Sequence, residues 1–121
     1  MAKMAMALQW GIFWADLNPT VGSEQQGNRP VLIVSAEAIN QALPVITVLP
    51  LTTRKPGRRI YPTEVLLPAS VTGLSQDSIA MAHQIRTIDK KPLTKPTDTI
   101  FPEEFRLHVR NALAIFLDLG C

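Results

Sequence analysis

The sequence predicts a mainly β fold with α, a single small domain of short strands closed by a C-terminal amphipathic helix. Three observations predict it. Ten prolines are spread along 121 residues, which cuts the chain into segments too short for a helix bundle. Compact runs rich in β-branched and aromatic residues alternate with polar turns. Only one segment, near the end, keeps a helical period over several turns. A chain of this length builds one hydrophobic core, so one domain spanning residues 1–121 is expected.

The first strand is Ile12 to Leu17, ended by the turn chemistry of Asn18, Pro19 and Thr20. Asn18 to Asn28 is polar, contains Gly22 and Gly27, and reads as an exposed loop. Pro30 to Ser35 is continuously apolar until its last residue, the pattern of a central strand covered on both faces. Ser35 is placed to cap a short helix over Ala36 to Ala42, with Glu37 near its positive end and Pro44 beyond it. Val45 to Leu51 is a further strand, and Pro50 assigns that end to an edge or a bulge. Thr52 and Thr53 then stand where the strand opens into a mobile basic loop with a Pro56-Gly57 turn signal. Thr63 to Leu67 makes a fourth strand, and Ser78 to Ile88 makes one long strand or two shorter ones. Asp89 to Thr99, rich in lysine, proline and threonine, is expected as a surface connection. Pro102 to Leu119 is the helix, with Phe105, Val109, Ala112, Leu113 and Phe116 on one face, acids at its start and Gly120 after its end. The sum is a small, strongly bent sheet or barrel.

Composition narrows function mainly by exclusion. Twelve basic against ten acidic residues leave a net charge of +2, too little to announce a nucleic-acid binder without a clustered distribution. Cys121 is the only cysteine, and with no partner for an internal disulfide it fits a reducing compartment. The apolar run at the start is too short for a signal peptide, and no later run reaches membrane-spanning length, so a cytoplasmic location is expected. His83 and His108 are far apart and no ligand spacing is present, so no metal or other cofactor is expected. A phosphate-binding GlyXaaXaaXaaXaaGlyLys loop and a GlyXaaSerXaaGly elbow are both absent.

The run GlySerGluGlnGlnGlyAsnArgProVal at 22–31 is the main candidate for chemistry, because a carboxylate, amides and an arginine converge on one loop feeding a buried strand. This run resembles the signature loop of the MazF/PemK toxin ribonucleases. The similarity continues in order through LeuProLeuThrThr (49–53), TyrProThrGluVal (61–65), AspSerIleAla (77–80) and GlnIleArgThrIleAsp (84–89). The resemblance implies a small SH3-like (PemK-like) β-barrel with a C-terminal helix, usually a homodimer. It implies metal-independent cleavage of single-stranded RNA at short sequences, leaving 2′,3′-cyclic phosphate and 5′-hydroxyl ends, and inhibition by a flexible cognate antitoxin (MazE-like or another small protein).

The family's central arginine and threonine fall on Arg29 and Thr52. A guanidinium holds its proton far above neutral pH and is a poor proton acceptor, so Arg29 is assigned to stabilising the charge of the pentavalent phosphorus, with Thr52 donating one more hydrogen bond. Glu24, where the family keeps an acid, is the first candidate for the general base. His83, standing where many relatives carry Asp or Glu, is the second, although alternation from Ser78 puts it with Ile79, Met81 and Ile85 on a core-facing side. Candidate RNA contacts are Ser23, Gln25 and Asn28 in the signature loop, Thr53, and the cluster Arg54, Lys55, Arg58 and Arg59. Gln84 and Arg86 complete that set, Arg86 being equally suited to bridging a dimer. Trp10, Phe13 and Trp14 are expected as core or dimer contacts before base-stacking groups.

One departure is Ile12 where relatives carry an aspartate after the glycine, for which a changed loop or interface contact is expected. Two rivals are a same-fold gyrase inhibitor of the CcdB type and an inactive relative that only binds RNA or antitoxin. The first depends on a TrpGlyIle-like ending, whereas this chain ends LeuGlyCys.

Overall fold

The computed structural model describes residues 7–17 and 27–120. Its elements are β1 (Ile12–Leu17), β2 (Gly27–Ile33), α1 (Glu37–Ala42), β3 (Val45–Thr53), β4 (Glu64–Leu67), α2 (Ala69–Thr72), β5 (Ser78–Met81), β6 (Arg86–Asp89), β7 (Leu93–Pro96) and α3 (Glu103–Leu117). All strand pairs are antiparallel, and the path runs β4-β5-β3-β2-β1-β7 with β6 also pairing β3. The sheet curls without closing. β6 and β7 are linked by a short turn, yet no ladder joins them among the described residues.

β3 organises the sheet because it changes partners along its length. On one edge Val45 to Val48 pair with β6 and Leu51 to Thr53 pair with β5, while Val48 to Pro50 pair with β2 on the other edge. The run from Ser78 to Ile88 is therefore two strands laid end to end along one edge of β3. A one-turn 3-10 helix, Ala82–Gln84, separates them. The peptide groups of Thr47 point toward β2 and Ser35, so alternation turns Pro50 toward the β5–β6 edge. The missing N–H of Pro50 falls where the ladder is interrupted, which makes a proline tolerable inside an interior strand.

Alternation on β1 and β2 fills two cores. Ile12, Leu32, Leu49 and Leu51 pack with Val65, Leu67, Phe101 and Val109 on the helix side. Phe13, Ala15, Val31, Ile33, Ile46 and Val48 pack on the opposite side. Val31, Leu32 and Ile33 are all fully buried, as the continuous apolar run predicts for a strand covered on both faces. Ile12 is 3% exposed in the helix-side core, so the residue replacing the expected aspartate is a packing residue and no loop contact. Trp10 is also core, with its ring stacked on Phe101 at 5.8 Å between centroids.

Several expectations are corrected. Ser35 does not cap α1; its hydroxyl binds the Asn40 side chain at 2.5 Å and accepts the Thr47 N–H at 3.0 Å. Glu37 instead accepts N–H groups from Leu8 and Gln9 at 3.0 and 2.7 Å, tying the chain before β1 to α1. β2 starts at Gly27, inside the expected loop, and Thr52 and Thr53 lie within β3. The expected connection from Asp89 to Thr99 contains β7, an edge strand whose lysine and proline suit an exposed edge. Helix α3 packs Val109 and Ala112, with Phe105 and Leu113, against β4 and the 3-10 turn. Burial ends at Ala114, so Phe116, expected on the packed face, is 42% exposed beside Ile115 and Leu117.

Candidate active site

The β2–β3 ladder ends at the Val31–Pro50 pair. Beyond it β2 continues beside β1 and β3 continues beside β5, so the two strands diverge. Past that last pair the ladder is broken, so Arg29 and Thr52 are not paired, and Thr52 is absent from the lining of the cavity that opens there. A cavity of about 150 Å³ occupies the divergence. β1 contributes Trp14 to it, β2 contributes Asn28, Arg29 and Pro30, and β3 contributes Leu51 and Thr53. Its far wall is Leu74, Ser75 and Gln76 with Ser78 of β5.

Local chemistry explains each wall. Arg29 is exposed and lies opposite Ala15, a residue too small to cover it. Pro30 lies opposite Trp14, which is half-buried. Gly73 ends α2 in the left-handed region at φ 79°, and a Cβ there would approach Thr99 Cγ2 to 2.8 Å. Glycine is therefore required at the turn that leads into Leu74, Ser75 and Gln76 at the cavity wall.

Arg29 is the single charged residue lining this cavity among the described residues; the other polar walls are amides and hydroxyls. Next to it lies an open hollow lined by Arg54, Lys55, Pro56, Gly57, Gln76 and Asp77. Gln76 lines both, and the Arg54 N–H donates to the Asp77 carbonyl at 2.9 Å, so the basic loop is fastened beside the Arg29 cavity.

The second half of that loop is used differently. The Glu64 carboxylate, on a residue 7% exposed, accepts both terminal nitrogens of Arg58 at 2.9 and 2.7 Å and the Tyr61 N–H at 3.0 Å. The guanidinium of Arg58, helped by the Tyr61 N–H, holds the Glu64 carboxyl below its ordinary value against the opposing effect of burial. Arg58 and Arg59 also lie over the Tyr61 ring at 5.9 and 5.7 Å. The loop expected to be mobile is thus tied to β4.

His83 is corrected most clearly. The chain leaves β5 at Met81 for the 3-10 turn, so alternation ends before His83, which is exposed and shares a 3.3 Å hydrogen bond with Thr63 Oγ1. It does not line the Arg29 cavity. Gln84 is in the same turn. Arg86 lines a separate recess with Asp16, Leu17, Asp89 and Pro92, at the gap between β6 and β7. Ser23, Glu24 and Gln25 lie outside the described residues. Sequence reasoning missed Leu74, Ser75, Gln76 and Ser78; the one available signal was the polar turn after Gly73, directly before a strand. Among the described residues, no three His, Cys, Asp or Glu side chains gather in metal-binding geometry.

A family model described as PemK-like, MazF-like toxin of type II toxin-antitoxin system matches residues 8–117. Endoribonuclease EndoA of Bacillus subtilis (strain 168) is 39% identical over 108 residues, covering 89% of this chain and 91% of that protein. Among solved structures, MazF from Deinococcus radiodurans is similar with a TM-score of 0.74 and 30% identity, covering 91% of this chain and 94% of its own. An endoribonuclease in complex with its cognate antitoxin, from Mycobacterial species, also has a TM-score of 0.74, with 28% identity over 94% of this chain and 97% of its own.

Proposed function

This chain belongs to the PemK-like, MazF-like toxins of type II toxin-antitoxin systems and is an RNA-cleaving toxin, and we propose that it cuts single-stranded mRNA without a metal at the cavity headed by Arg29. The observation that carries the site is the placement of Arg29 as the single charged residue, among the described residues, of a cavity otherwise lined by neutral groups.

The scissile phosphate lies against the Arg29 guanidinium. A base removes the proton of the adjacent ribose 2′-hydroxyl, and that oxygen attacks phosphorus. The P–O5′ bond breaks, the leaving oxygen takes up a proton, and the products are a 2′,3′-cyclic phosphate and a 5′-hydroxyl. Arg29 donates two parallel hydrogen bonds to phosphate oxygens as negative charge builds, and Thr52, which the family resemblance assigns to the step although it does not line the cavity, donates another. The base is Glu24, five residues before Arg29; His83 is held by Thr63 outside the cavity and is not required for the step.

Arg54 and Lys55 bind neighbouring phosphates. The active protein is a homodimer in the cytoplasm, where a cognate antitoxin covers the RNA site; no described helix is long and apolar enough to cross a membrane.

The test is cleavage of single-stranded RNA by the purified chain in EDTA. Arg29→Ala is expected to lower kcat by roughly 10²- to 10³-fold. Cleavage by Arg29→Ala at the wild-type rate would overturn the mechanism, and cleavage only with added metal would overturn the metal-free reading.

A further inference from the structure

The open hollow beside the Arg29 cavity contains one group that a phosphate-binding surface does not call for. Arg54 and Lys55 are exposed along it, and so is Asp77. Asp77 directly precedes β5 as Arg54 directly follows β3, and the Arg54 N–H donates to the Asp77 carbonyl, so the acid and the cations start from facing positions. Yet among the described residues Asp77 forms no ion pair with either cation. Its Oδ1 instead accepts the first N–H of α2, from Ala69, at 2.8 Å, while the Arg54 guanidinium reaches the Arg58 carbonyl at 3.4 Å. Glu64 provides the contrast. Its charge is taken up by the fork of Arg58, whereas the carboxylate of Asp77 is held by a neutral amide on a residue that lines the hollow. A phosphate drawn in by Arg54 and Lys55 therefore meets a fixed charge of its own sign.

We propose that Asp77 limits the affinity of this surface for RNA, its fixed negative charge offsetting part of the pull of Arg54 and Lys55 so that the cut fragments leave. The inference rests on the ribonuclease reading and adds to it a residue that sets turnover from outside the reacting bond. Binding that substrate and product share lowers KM without speeding the chemical step. Two unopposed cations in a hollow next to the cut would hold a fragment as firmly as the intact strand, and one carboxylate among them weakens both complexes alike.

The experiment measures binding of one short RNA blocked by a 2′-deoxy sugar at the cut, together with steady-state and single-turnover cleavage of the unblocked copy. Asp77→Asn removes the charge and keeps an oxygen able to accept the Ala69 N–H. It is expected to tighten the blocked RNA roughly three- to tenfold at low salt, the repulsion of two unit charges a few ångströms apart in a solvent-rich site. That gain is expected to fade toward about 1 M salt, where screening is nearly complete. KM is expected to fall with it, and the ratio of steady-state kcat to the single-turnover rate is expected to fall as release slows. In a chain that also carries Arg54→Ala and Lys55→Ala the gain should vanish, because no phosphate is drawn into the hollow. Asp77→Ser, neutral but of different shape, is expected to act as Asp77→Asn does, which separates charge from shape and covers a failure of either variant to fold. The proposal is overturned if both neutral variants bind the blocked RNA no tighter, or if the gain persists without Arg54 and Lys55. Weaker binding also overturns it and makes the carboxylate an acceptor for the RNA, and tighter binding with an unchanged rate ratio overturns the role in release. A wild-type chain that binds RNA without cutting it overturns the ribonuclease reading instead, and the binding comparison still decides whether Asp77 limits affinity.

Discussion

The basic loop between β3 and β4 carries four cations with two fates. Arg54 and Lys55 line the open hollow that shares Gln76 with the Arg29 cavity. Arg58 and Arg59, a few residues on, are turned onto Tyr61, and Arg58 is clamped by Glu64. Equal charge in the sequence therefore does not mean equal availability to a polyanion. The nearly buried carboxylate of Glu64 takes the fork of Arg58 for the fold, and this holds the loop so that its first half stays beside the cavity.

The largest effect that tests this contrast is on RNA affinity. Replacing Arg54 and Lys55 together by alanine is expected to flatten the dependence of log K on log salt by about 1.4, roughly 0.7 for each single-strand phosphate that is no longer neutralised. Replacing Arg58 and Arg59 instead should leave the slope near wild type while lowering the Tm. Equal slope changes in the two pairs would erase the distinction between the halves of the loop.

A smaller effect concerns acid. Glu64 titrates below its ordinary value of 4.5 in the folded chain, chiefly because it accepts hydrogen bonds from Arg58. A depressed carboxylate pKa contributes stability that is present above the unfolded value and lost as pH falls through the folded value. Glu64→Gln should accordingly lower the Tm at neutral pH, with the gap to wild type closing below pH 4.5. A gap that stays constant from neutral to acid pH would assign the loss to packing alone. The smallest change expected is for Tyr61→Leu, whose ring is 51% exposed. Its Tm should fall less than that of Glu64→Gln; a larger fall would make the ring, not the carboxylate, the anchor of the loop.

How legible each part is depends on how local its cause is. β1, β2, β3 and α3 are visible because apolar period and turn residues act within a few positions. β7 is hidden, since lysine, proline and threonine on an edge strand look like a connection. His83 misleads because alternation assumes an unbroken strand, and the break at Ala82–Gln84 falls where the partners of β3 change from β5 to β6. Within the site, Arg29 and Thr52 are recognisable by resemblance, while Gln76 and Ser78 reach the cavity only through the pairing of β5 with the end of β3.

The order of residues by itself determined the strand-rich architecture, the two-sided burial of β2, the amphipathic α3 and the family signature around Arg29. Tertiary structure alone decided where β2 and β3 part to open a cavity, which of the four loop cations is held by Glu64, and that His83 lies outside the core. The physical reason is range. Propensity and period are set by neighbours in the chain, whereas a cavity, an ion pair or an exposed imidazole is set by which distant strands share an edge of β3.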